Sequence, residues 1–106
     1  MDKWSLLFLA GFFEIFWAVC LKYSAGFSKI LPSVLVVIGS LASFYFLSLA
    51  IKKIPLSVAY AVWTGIGIAG TSMFGVVVLH EAVSLPKILF VIMIICGIIG
   101  LRLVGD

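Results

Sequence analysis

Charge is what this sequence has least of. Only 10% of its 106 residues are Asp, Glu, Lys or Arg, against about a quarter in soluble domains. Seven basic and four acidic residues leave a net charge of +3. The basic ones sit at the ends of apolar runs, so they do not form a surface for nucleic acid. The two cysteines, Cys20 and Cys96, fall inside apolar runs and read as small buried residues, not as a disulfide framework. The one histidine, His80, lies beside Glu81 in a polar break. Neither a metal-ligand cluster nor a catalytic constellation is visible. The chain is expected to be no enzyme and to need no cofactor and no metal.

Hydrophobicity is what remains. Apolar residues make up 65% of the chain and mean hydropathy is +1.40, the signature of an integral membrane protein. Polar breaks divide it into four spans, about 4–22, 30–51, 54–79 and 85–104, each close to the ~17–25 residues a helix needs to cross a bilayer. Between Trp4 and Leu21 the only charge is Glu14, and the second and third spans carry none. Lys87 and Arg102 mark the ends of the fourth, their heads reaching for the interface. Trp4 and Tyr23 suit an interfacial aromatic belt.

The links "KYSAGFSK", "KKIP" and "HEAVS" are too short for a soluble domain. Residues 1–106 therefore read as a single four-helix transmembrane domain, with both termini on one side. "WAVC" loosely resembles a lipoprotein cleavage box, but Val19 is a poor residue before the cysteine and Glu14 does not belong in a signal peptide.

Lys and Arg normally fix orientation by favouring the cytoplasmic side. Lys3, Lys52, Lys53 and Arg102 lie on the side of the termini, and Lys22, Lys29 and Lys87 opposite: four against three. So small a bias predicts weak orientation or insertion both ways up. Four short helices enclose little space, so transport would need an oligomer, most simply a dimer. "CGIIG" places Gly97 and Gly100 on one side of the fourth span, where small residues allow close contact with another helix. The third span holds Gly65, Gly67, Gly70 and Gly75 among Thr64, Thr71 and Ser72. It is expected to pack closely and to bend, as alternating access requires.

Glu14 is eleventh of the 18 positions from Trp4 to Leu21. A mid-membrane charge is costly and marks function. Helical spacing puts Leu7, Ala10, Gly11, Glu14, Trp17, Ala18 and Leu21 on one face. Lys22 is two turns away, too far to pair within the helix, and no other basic residue lies at that depth. Desolvation disfavours a charged carboxylate, so the group can take up and release a proton, and its anion can hold a cation instead. One site holding either, never both, is the minimal chemistry of an antiporter. Ser40 and Ser43 lie midway along the second span, and Tyr60 and Trp63 one turn apart in the third. Tyr60 could donate a hydrogen bond to Glu14, and Trp17 and Trp63 offer indole N–H groups or ring faces.

Together, "FEIFWAVCLKYSAGF", "LPSVLVVIGSLASFYFLSLAIKKIP" and "AYAVWTGIG" resemble the small multidrug resistance family over nearly the whole length. The resemblance implies an all-α, multi-pass transporter of the bacterial inner membrane. It also implies an antiparallel, dual-topology homodimer of four-helix subunits. Trp17 followed by Ala18, then "LKYS" and "WTGIG", resembles the guanidinium exporters, whereas quaternary-ammonium exporters usually carry glycine in place of Trp17. By that resemblance Glu14 is the shared site for protons and guanidinium. Trp17, Ser43, Tyr60 and Trp63 surround it, and Gly11 leaves room beside it. A hydrogen bond from Ser43 could orient the carboxylate. Two other readings are a promiscuous quaternary-ammonium/proton antiporter and one subunit of an unlike pair, since "LHEAVSLPK" resembles one partner of such pairs.

Overall fold

The computed structural model describes residues 2–104. Four helices follow one another: α1 (Lys3–Tyr23), α2 (Ile30–Ala50), α3 (Leu56–Val77) and α4 (Leu85–Val104). No strand occurs among the described residues. A bilayer core offers no water to an unpaired N–H or C=O, and the helix satisfies both internally. At 1.5 Å per residue, 20 to 22 residues span about 30 Å, the thickness of the hydrocarbon layer. All four helices are long and apolar enough to cross a membrane.

The three prolines mark helix starts. Pro32 is the third residue of α2, Pro55 precedes α3 and Pro86 is the second residue of α4. The first N–H groups of a helix have no partner inside it, so proline costs little there. The third apolar run extends from 54 to 79, but its helix is confined to Leu56–Val77. Pro55 sets its beginning, and beyond its end His80 takes a left-handed φ of 56°. Between α1 and α2 the chain turns through Ala25, Gly26 and Phe27, all at positive φ. Ser24 pins that turn: fully buried, its hydroxyl donates to the Leu21 carbonyl at 2.7 Å and accepts from the Phe27 N–H at 3.1 Å.

α1 is the central helix, packed against both α2 and α3, while α4 has only α3 as backbone neighbour. The tight core lies toward the terminal side, where Trp4, Leu7 and Ala10 of α1 meet Ala50, Ile54, Ala59, Val62 and Trp63. Trp4 is therefore not a belt residue. It is 3% exposed, and the Arg102 guanidinium lies over its ring, 4.7 Å from the centroid. That cation–π contact ties the end of α4 to the start of α1. Tyr23 is exposed and meets Phe74 edge-on at 6.3 Å. No residue of α4 is buried.

Candidate functional site

The α1 face carrying the acid is a contact surface. Leu7, Ala10 and Gly11 are buried, and Glu14, Trp17 and Ala18 are half-buried. Glu14 is twelfth of the 21 residues of α1. Its side chain rests on α3 where Gly67 presents no Cβ. A Cβ built there would collide with the carboxylate oxygen and stand 2.6 Å from the carboxyl carbon. The Oε1 atom is buried and has no hydrogen-bond partner. An unpaired buried polar atom costs about 1–3 kcal/mol, more if charged, so the orphaned carboxylate oxygen in mid-helix makes Glu14 the leading candidate for a binding residue.

Two more buried polar atoms share this condition, Trp17 Nε1 and Thr64 Oγ1. Trp17 is one turn from Glu14 on α1, and Thr64 is one turn from Gly67 on α3. The chain thus leaves an acceptor, a donor and a hydroxyl unsatisfied on the two helices that hold the acid.

Ser43 has a different task from the expected one. It is fully buried on α2, and its hydroxyl donates to the Ala10 carbonyl at 2.7 Å. It also accepts from the Trp63 indole N–H at 2.9 Å. Its single proton is committed, so it does not orient the Glu14 carboxylate directly. In an α-helix the Ala10 carbonyl also accepts the N–H of Glu14. The relay from Trp63 through Ser43 to Ala10 therefore fixes the turn of backbone that carries the acid, and joins three helices.

The aromatic residues form a second connected set. Phe44 lies between Trp17 and Trp63, with centroids 6.5 Å and 5.8 Å away, and Tyr60 follows Trp63 at 5.4 Å. Trp63 is buried, whereas Tyr60 is 55% exposed and makes no hydrogen bond to Glu14 Oε1. Phe44 was not singled out in the sequence, and Thr64 was named only among the polar residues between the α3 glycines. For Phe44 the only signal was its place next to Ser43, which is ordinary in an apolar helix, whereas Thr64 lay in the "WTGIG" stretch without a role of its own.

The glycines sort themselves by what fills them. Gly11 leaves room not for a ligand but for Ile66, whose Cγ2 would lie 2.7 Å from an added Cβ. Gly65 receives Ile98 of α4 at 2.8 Å, and Gly70 receives Ile15 of α1. The α3 row acts as sockets on an unbroken helix. A Cβ added at Gly97 or Gly100 would meet nothing within 4 Å, so no contact among the described residues fills either place.

The family pattern of the Small Multidrug Resistance protein matches residues 2–94. A protein of Yersinia pseudotuberculosis named "Guanidinium exporter" is 48% identical over 100 residues, covering 94% of this chain and 96% of the relative. Proteins of that name from Proteus vulgaris and Escherichia coli K12 are 46% and 44% identical over 101 residues, covering 95% of this chain and 97% and 96% of theirs. With four apolar helices of spanning length, these bacterial relatives make this a multi-pass protein of the inner membrane. A match over most of the chain, with identities well above those at which only a fold is shared, settles its kinship: the chain belongs to the small multidrug resistance family.

Proposed function

We propose that this chain exports guanidinium, exchanging it for protons at Glu14. The observation that carries the reading is the buried, unpartnered Glu14 Oε1 seated on Gly67 in the middle of a spanning helix. The name its relatives bear supports the substrate. Guanidinium is flat and edged with N–H donors, and two of them match the two oxygens of a carboxylate. The rings of Trp17, Phe44 and Trp63 give a planar cation apolar and π surface nearby. Protonation of Glu14 removes the anion that holds the cation, so the two ligands exclude one another. Trp63, Ser43 and Ala10 keep the turn in place while the ligands change.

The working unit is proposed to be an antiparallel homodimer of two such domains, each spanning residues 1–106. Apolar exposure of α4 alone is no argument, since lipid covers apolar surface equally well. Gly97 and Gly100 are more telling. Glycine in a helix costs about 1 kcal/mol relative to alanine, and neither place is filled by a described residue of the chain. Close approach of a second α4 would use both. The four-against-three distribution of basic residues supports insertion in both orientations.

Two measurements test these readings. Currents on solid-supported membranes carrying the purified chain should be robust with guanidinium and absent with a bulky tetraalkylammonium, which offers no N–H donors and needs volume beside Trp17. Robust tetraalkylammonium currents with none for guanidinium would replace this reading with the multidrug one. Labelling of a single cysteine introduced in the Lys52–Lys53 link, in a background lacking Cys20 and Cys96, should reach part of the population from each side. Labelling from one side alone would remove the antiparallel homodimer and favour an unlike partner.

A further inference from the structure

Glu14 is not the only carboxylate seated on a glycine of α3. Eight residues further along, a Cβ at Gly75 would meet the Glu81 carboxylate, its carboxyl carbon 2.7 Å away. Between the two seats, Thr71 donates its hydroxyl proton to the Gly67 carbonyl at 2.7 Å. Positions 67, 71 and 75 are four apart and form one line along the helix, with the seats ~12 Å apart at 1.5 Å per residue.

Thr71 and Gly75 of that line border a cleft of about 130 Å³ whose walls also include Ala18, Lys22 and Glu81. Ala18 is one turn beyond Glu14 on α1, and Thr71 one turn beyond Gly67 on α3. The cleft therefore runs from the end of α3 to a point one turn short of Glu14 and Gly67, which do not border it. Glu81 also borders a wider, mostly apolar cleft of about 480 Å³ between α3 and α4.

Stability does not explain the Glu81 carboxylate. It stands just past the C-terminal end of α3, where the helix dipole disfavours negative charge. The bond that closes the helix comes from its backbone, the Glu81 N–H donating to the Gly75 carbonyl at 2.9 Å. Any residue but proline would make it. The left-handed His80, φ 56°, turns the chain here, a conformation uncommon outside glycine. No ion pair neutralises Glu81 among the described residues. Lys22 borders the same cleft without pairing, His80 is its chain neighbour, and Lys87 directs its ammonium to the Ala82 carbonyl at 2.9 Å. On this side of the bundle Lys22, Lys29 and Lys87 would repel a cation, and Glu81 is the one acid there.

We infer that Glu81 is an outer cation-binding residue, which captures guanidinium at the mouth of the α1–α3 cleft and delivers it along Thr71 to Glu14. The inference rests on the exporter reading given above. Its test is a guanidinium titration of membrane currents for wild type, Glu81→Gln, Glu81→Asp and Glu81→Lys at low salt and at ~1 M inert salt. One charge at the mouth should lower the half-saturating concentration roughly three- to tenfold at low salt, and much less at ~1 M, where the screening length is ~3 Å. Glu81→Gln is therefore expected to raise it by that factor with little change in maximum current. Glu81→Lys should raise it further and Glu81→Asp should stay near wild type. A residue needed only for the loop would lower the maximum current at either salt concentration, and that result overturns the inference. So does a Glu81→Gln titration that coincides with wild type. Absence of wild-type guanidinium current is a separate outcome, which removes the exporter reading and this inference with it.

Discussion

Glu14→Gln is expected to abolish proton-driven guanidinium transport while leaving the amount of inserted protein unchanged or higher. The amide keeps the size and much of the shape of the side chain, so Gly67 still accommodates it. What disappears is the negative charge and the proton it exchanges. Removing one partner of a buried charge pair costs about 3–5 kcal/mol, two to three decades or more in affinity. In the other direction, a charge at the centre of a spanning helix costs about 2.5–3.5 kcal/mol on insertion scales, so loss of the acid does not harm insertion. Currents with guanidinium, read beside the amount of protein in the membrane, separate the two effects. Full proton-driven transport by the Gln variant would refute the assignment. Glu14→Asp should retain exchange over a shifted pH range, because the shorter side chain no longer reaches the same place above Gly67.

The sequence made the spans and the acid legible for one reason. Water is absent from the bilayer core, so the chain there is either apolar or special, and Glu14 was the exception in its run. The same simplicity hid the rest. A soluble helix announces its inner face by an apolar stripe, but here all sides of α2, α3 and α4 are apolar and helix rotation leaves little trace. Gly11 and Gly67 illustrate the consequence. Both were visible as gaps, yet Gly11 admits Ile66 while Gly67 admits the carboxylate itself. Ser43 was found as a polar residue at the right depth. That its proton goes to the Ala10 carbonyl depends on the register between α1 and α2, set where Gly39 lets Phe16 and Trp17 approach. Trp4 looked interfacial from its position, but it belongs to the core cluster with Leu7, Ala50 and Ile54, and Arg102 of α4 lies over its ring.

Gly67→Ala is expected to cut guanidinium transport at least tenfold in a protein that still folds. Alanine favours the helix by about 1 kcal/mol over glycine, and overpacking a filled site costs about 1–3 kcal/mol. The net effect on stability is therefore small, because the group it displaces is the far end of a flexible side chain. The effect on the site is not small. The new methyl occupies the place of the Glu14 carboxylate, which must swing away by more than the ~1 Å whose loss already costs about a hundredfold in a positioned reaction. Gly70→Ala supplies the comparison, since its methyl meets Ile15 on the same helix pair and does not touch the acid. Gly65→Ala presses on Ile98 of α4 instead. The decisive reading is the pH dependence of transport together with the half-saturating guanidinium concentration. Both should move in Gly67→Ala, whereas packing damage at Gly70 or Gly65 should lower the maximum current with the pH profile in place. If Gly67→Ala and Gly70→Ala behave alike, Gly67 serves only the packing of α1 on α3, and the carboxylate has its working position elsewhere.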